Sequence, residues 1–254
     1  MNLKLFENFD YLKIDFFLLA LFASLSLFGL IILASASVNF SDSIYGNPSA
    51  IFNRQLIYYL LGLMGLFIFF VLPLTFWTTY DRLFITLGFF LLLLVFIPGV
   101  GLEVNGANRW IRVAGFGLQP SEVMKFLSIL YVASYSVRRT KELQSHWLGF
   151  FRPALIIVSI ISVILIQPDL GSSAVIFASV LGVLYVAGVK MRQFFIVAML
   201  GLFAVALMIF FVPWRWERII SFIDPWSDPW GSGYQLTLSL MSICLLYTSP
   251  SPRD

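Results

Sequence analysis

Two ionisable residues, three apart at the mouth of an apolar run, raise the first chemical question. Glu122 and Lys125, in QPSEVMKF, fall within the first two turns of a stretch that reads as a membrane helix. At that spacing the carboxylate and ammonium share a helix face and can pair. Ser121, Ser128, Tyr131 and Tyr135 extend polar character along nearly the same side. Two readings fit. The first is a hydrophilic cavity opening outward and lined by the pair. The second is an ion pair that fixes helix packing or reaches to the interface. Charges inside membrane helices mark function by default, so the first is the expectation.

Asp169 is the other acid near membrane depth, in QPDLG after a short apolar run broken by Pro168. Irregular backbone at that depth needs protein or water around it, which suits a site. Capping of the helix that begins with Leu-Gly-Ser-Ser would explain the same residue, and both readings stand. Arg109 and Arg112 flank Trp110 in a glycine-rich loop. Two guanidinium groups suit a phosphate or pyrophosphate; interfacial anchoring by Trp110 with exposed arginines fits as well. Asp224 and Asp228, each followed by proline, are candidate bases or metal ligands, but turn formation is the expected role. His146 lies in a basic loop and reads as solvated. No phosphate-binding loop, dinucleotide-binding glycine pattern or zinc-type His/Cys spacing is present.

The elements that must hold these residues follow from composition. The chain has 254 residues, 60% of them hydrophobic and 11% charged. Its apolar runs reach the roughly 20 residues that cross a bilayer, and they lack the period-2 alternation of barrel strands. The expected fold class is therefore an all-α polytopic membrane protein. Helices are expected at about 15–37, 54–74, 83–98, 120–137, 153–167, 172–189 and 193–212, with an outer loop over 213–238. Pro120 suits a first helical turn, where Ser121 and Glu122 place acceptors near free N–H groups. The loop after 212 holds Trp214, Trp216, Trp226 and Trp230 and is expected along the outer interface. Within it Trp216, Ile219, Ile220 and Ile223 form a short amphipathic face.

Basic residues set the orientation. With the N-terminus inside, Lys4, Lys13, Arg82, Arg138, Arg139, Lys141, Arg152, Lys190 and Arg192 are inner; Arg54, Arg109, Arg112, Arg215 and Arg218 are outer. The bias places the N-terminus in the cytoplasm. The apolar run near the N-terminus is longer than a signal-peptide core and reads as a retained helix. The net charge of +3 is too small and scattered for a nucleic-acid surface, and the single cysteine, Cys244, excludes an internal disulfide framework.

NGANRWI, QPSEVMKF, QPDLGSS and ERIISFIDPWSDPWGSGYQLT together resemble the SEDS family of bacterial glycan polymerases, over about Asp15 to Leu238. The last motif is closer to the cell-division member than to the elongation member. The resemblance implies a peptidoglycan glycosyltransferase that polymerises lipid II at the outer face of the cytoplasmic membrane, at the septum, with a cognate class B penicillin-binding protein and other division proteins. It implies about seven helices here of an expected ten. Glu122 and Lys125 match the family's charged cavity pair, and Asn105, Arg109, Trp110, Gln119, Ser121 and Asp169 are candidate substrate contacts. The family's presumed general base lies farther along, in a segment with no counterpart here. Residues 239–254, ending YTSPSPRD, are unmatched and read as a foreign tail on a fragment, which is expected to be inactive by itself. The implied reaction is inverting: a base deprotonates the 4-hydroxyl of one lipid II, that oxygen attacks the anomeric carbon of the growing chain, and undecaprenyl pyrophosphate leaves. Arg109 and Lys125 are the candidates to stabilise its charge. No cofactor is specified; a divalent cation is compatible, without a legible ligand set. On physics alone a lipid-linked precursor flippase fits the same polar cavity, and a scaffold that recruits a division enzyme is a third reading.

Overall fold

The computed structural model describes residues 15–104, 107–113, 116–145 and 147–248. Asn105, His146, Lys4, Lys13 and the last six residues of the tail lie outside them. Two compact units divide at Asp81.

In the first unit, α1 (Phe16–Ala36) is capped by Asp15, whose carboxylate accepts from the Leu18 N–H at 3.1 Å. The connection expected to be a polar loop contains α2 (Val38–Tyr45), closed by Gly46 at φ 61°. Buried Ser41 holds this corner: its hydroxyl donates to the Asn47 carbonyl at 2.6 Å and accepts from the Ile51 N–H at 3.3 Å. Then α3 (Ala50–Val71) is followed by the short α4 (Leu74–Thr79), where Trp77 stacks on Phe69 at 4.4 Å. No residue of α1 or α3 is buried. Apolar faces so open have hydrocarbon as their natural surroundings.

The second unit holds the candidate site. After α5 (Asp81–Leu94), the stretch expected to be a loop forms a three-stranded antiparallel sheet in the order β1 (Gly101–Val104), β2 (Ala107–Val113) and β3 (Phe116–Leu118). Alternation of branched, aromatic and polar residues in ANRWIRV, between glycines, is a strand signal. Then come α6 (Pro120–Arg138), α7 (Thr140–Ser145), α8 (Trp147–Ile166), α9 (Leu170–Val186), α10 (Met191–Phe210), α11 (Pro213–Ile223) and α12 (Tyr234–Thr248).

Helix α8 begins six residues before Pro153, where the helix start was expected. A proline inside a helix leaves the carbonyl four residues earlier without its N–H partner. That carbonyl belongs to Gly149, and the Tyr135 hydroxyl of α6 donates to it at 2.8 Å. The stripe Phe150, Ile157, Ile160 and Ile164 is buried, with the spacing of one helix face. It packs with Met124 and Val132 of α6 and Ile176 and Val180 of α9 in a single core.

Among the described residues, four helices are long and apolar enough to cross a membrane: α1, α3, α8 and α10. The other expected spans, α5, α6 and α9, have 14, 19 and 17 residues. The chain is a multi-pass α-helical membrane protein carrying one small sheet.

Candidate functional site

Strand β2 sets the geometry. A bulge at Arg109 breaks its alternation: Asn108 lies opposite Glu103, but Trp110, not Arg109, lies opposite Leu102. Ala107 and Ile111 are buried, whereas Arg112 is exposed. Arg109 is half-buried, so the two guanidinium groups differ in their surroundings. Trp110 is half-buried and lies over Gly117, where a Cβ would approach its ring to 3.3 Å.

Arg109 reaches the end of α8. Its Nε donates to the Gln167 carbonyl at 3.0 Å and its Nη2 to the Pro168 carbonyl at 2.9 Å. The last carbonyls of a helix have no intrahelical partner and carry partial negative charge, so a cation belongs there. Gln167 is itself buried, and its amide donates to the Leu92 carbonyl at 3.0 Å. The motif reading missed this residue; its position before Pro-Asp, at a helix end, was the available signal.

Asp169 faces the opposite helix terminus. It is the N-cap of α9, with Oδ1 accepting from the Ser172 N–H at 3.0 Å. Its Oδ2 accepts from the Gln119 amide and the Ser121 hydroxyl, each at 3.2 Å. The Ser172 hydroxyl donates onward to Ser121 at 3.4 Å, and the Ser173 hydroxyl to the Asp169 carbonyl at 2.9 Å. Burial pushes this carboxyl up, but the hydrogen bonds from Ser172 and Ser121, with the Arg109 charge, outweigh it and hold it below its ordinary range. The capping reading of Asp169 thus describes its geometry, and the cap also binds α9 to α6. Ser121 does not cap its own helix, as its position suggested. Gln119 is the N-cap residue there and makes no side-chain cap bond.

One turn into α6 stands the charged pair. Lys125 Nζ lies 2.7 Å from the Glu122 carboxylate, with the side chains 25% and 56% exposed respectively. Ser121, Ser128, Tyr131 and Tyr135 are buried. They face the interior, while the pair stands at its edge, so the expected common polar stripe is split between two sides of the helix. An exposed pair three residues apart stabilises a helix by only about 0.3–0.5 kcal/mol. So small a gain does not by itself account for the pair.

The late motif folds on itself. Asp228 accepts from the Gly231 N–H at 3.0 Å and the Ser232 N–H at 2.8 Å, and Asp224 from the Trp226 N–H at 3.3 Å. A Cβ at Gly231 would crowd the Asp228 carboxylate and turn it out of this position. Both aspartates form turns, as expected. Among the described residues no three His, Cys, Asp or Glu side chains converge as a metal site.

The chain is similar to known proteins. A probable peptidoglycan glycosyltransferase FtsW of Saccharophagus degradans is 39% identical over 230 residues, covering 91% of this chain and 59% of the relative. Its counterpart in Wigglesworthia glossinidia brevipalpis is 38% identical over 94% of this chain and 62% of its own length. The chain thus spans about three fifths of these relatives. Among solved structures, a chain of a peptidoglycan synthase complex that coordinates polymerization and crosslinking matches at TM-score 0.59 and 28% identity, over 82% of this chain and 62% of that one. The rod shape determining protein RodA of Thermus thermophilus matches at TM-score 0.54 and 27% identity, over 86% and 72%. The family model for FtsW, RodA and SpoVE, described as cell cycle protein, matches residues 15–244, past Leu238 where the motif resemblance ends. With that match running through the sheet, the Arg109–Asp169 junction and the charged pair, the chain belongs to the FtsW/RodA/SpoVE family of cell cycle proteins.

Proposed function

We propose that this chain is part of a peptidoglycan glycosyltransferase that polymerises lipid II at the outer face of the bacterial cytoplasmic membrane during septal wall synthesis. The observation that carries the reading is the 2.7 Å Glu122–Lys125 pair, standing beside a junction whose other charges are already engaged. Arg109 has its Nε and Nη2 on backbone carbonyls, and Asp169 has both oxygens on donors. Lys125, held by Glu122 and about a quarter exposed, is the proposed cation for chemistry, with Arg109 and Asp169 as positioning residues.

In the proposed reaction a base removes the proton from the 4-hydroxyl of one lipid II. The oxygen attacks the anomeric carbon of the growing chain on its opposite face, with inversion, and the bond to undecaprenyl pyrophosphate breaks. Lys125 stabilises the charge that builds on the leaving pyrophosphate. Glu122 holds the ammonium in place through their ion pair. Asn105 and Trp110 are the proposed substrate contacts, and Gln119 and Ser121, which donate to Asp169, join the positioning residues. A cognate class B penicillin-binding protein is the proposed partner, and the positive-inside bias supports a cytoplasmic N-terminus. The division role rests on the FtsW relatives.

The test is glycan synthesis from lipid II in detergent, using the protein at the length of its relatives. Lys125→Ala is expected to abolish strand formation, at a cost of about 100-fold or more, on the order of one removed transition-state donor. Membrane insertion should be unchanged. Full polymerisation by the variant refutes the assigned role. A flippase, the second reading of the same cavity, would make no strands in detergent and would need a sealed bilayer.

A further inference from the structure

Helix α11 is built the wrong way round for contact with water. At about 100° per residue, Trp216, Ile219, Ile220 and Ile223 fall within one stripe, and Glu217 and Ser221 on the other side. The apolar stripe is exposed: Trp216 49%, Ile219 37%, Ile220 43% and Ile223 78%. Ser221, on the polar side, is only 6% exposed. The protein therefore holds the helix at Ser221, while the apolar stripe is exposed together with Glu217 and, beside the stripe, Phe222.

The surroundings of that stripe are set by the preceding element. Helix α10 is a membrane-crossing helix with Phe210 and Phe211 at its end exposed. Only Phe211 and Val212 separate it from α11, so α11 starts at the level where α10 leaves the hydrocarbon. Arg215 ties the two together, its Nη1 donating to the Met208 carbonyl at 3.4 Å. The exposed stripe thus continues a surface that already faces lipid.

We infer that α11 lies flat in the headgroup region where α10 ends, with Trp216, Ile219, Ile220 and Ile223 seated on acyl chains. Its occupant is the bilayer itself. A helix so placed buries its apolar side about 5–10 Å into the headgroup boundary. It also fixes the depth of the next segment. The turn beginning at Asp224 is stiffened by the Asp228 carboxylate, which accepts from the Gly231 and Ser232 N–H groups, and by the Thr237 hydroxyl, which donates to the Pro225 carbonyl at 3.1 Å. Helix α11 therefore holds this turn at headgroup level as one rigid piece.

Spin labels test the placement in the full chain, reconstituted in nanodiscs of phosphatidylethanolamine and phosphatidylglycerol. Single cysteines replace Ile219, Ile220, Ile223 or Glu217 in a Cys244→Ser background, with Leu200→Cys as the lipid reference. The expected result is a ratio of oxygen to nickel-chelate accessibility several-fold higher at 219, 220 and 223 than at 217, approaching that at 200. Nickel access at 219, 220 and 223 equal to that at 217 would mean water and would overturn the inference. Exclusion of both reagents with an immobilised spectrum would mean a protein cover, another subunit or a second copy, and would overturn it too. Label-free emission gives a second reading. Brominated lipids should quench a component that is lost in Trp216→Phe; equal quenching of both proteins counts against the placement.

Discussion

Asp169 accepts more hydrogen bonds than a helix cap needs. The Ser172 N–H would satisfy the capping role, yet Gln119 and Ser121 also donate to it from the start of α6. Asp169→Asn keeps the shape but sets an amide against those two donors. The expected cost is about 1–3 kcal/mol, the usual loss when a buried donor goes unpaired, read as a lower Tm of the protein in detergent. The pH dependence has a definite sign. Because the folded carboxyl titrates below its ordinary value, its stabilisation is complete above the unfolded pKa of about 3.9 and is lost as pH falls through the lower folded value. The Tm gap between Asp169→Asn and the unaltered protein should hold constant from about pH 7 to about pH 4 and narrow below that. A gap that ignores acid would mean the charge contributes nothing.

At the scale of elements, the α6–α8 contact shows how a proline is accommodated. Pro153 frees the Gly149 carbonyl and Tyr135 takes it, so Tyr135→Phe should cost about 1–3 kcal/mol by leaving that carbonyl buried and unpaired. In Pro153→Ala the restored N–H can return to Gly149. The double variant Tyr135→Phe/Pro153→Ala should then be less destabilised than the sum of the two singles, measured as a double-mutant cycle on Tm. Strict additivity would refute the pairing. This pairing was not legible in the sequence, because Pro153 signals a helix start as readily as an interior position. The sheet was missed for a related reason. ANRWIRV is short and lies between apolar runs, and its alternation shows only when it is read apart from them. What was legible was local. Pro120 at the first turn of α6, the Asp169 cap and the spacing of Glu122 and Lys125 are all set by neighbours within four residues. Partnerships spanning fifty residues, such as Gln119 with Asp169, leave no periodic trace.

For the whole molecule, the alternation of inner and outer loops makes a topological prediction. Helix α6, an expected span, separates Arg112 from Lys141, so the topology predicts them on opposite sides of the membrane. In a Cys244→Ser background, Arg112→Cys should react with a membrane-impermeant maleimide in intact cells, or in spheroplasts where an outer membrane blocks access. Lys141→Cys should react only after permeabilisation. Equal labelling of both before permeabilisation would rule out the assigned topology. The bond from Arg109 to Gln167 joins residues 58 apart, and synthesis has a direction. A ribosome adding about 5–20 residues per second releases the sheet roughly 3–12 s before the turn it grips. Over that interval α6, α7 and α8 are made while Arg109 has no carbonyls to hold. The strands must therefore wait unlatched, and the junction closes only when α9 follows. A ribosomal pause that holds residues 167–173 inside the exit tunnel would prolong the stage at which the half-made protein is open to proteolysis, whereas a pause after they have emerged would not.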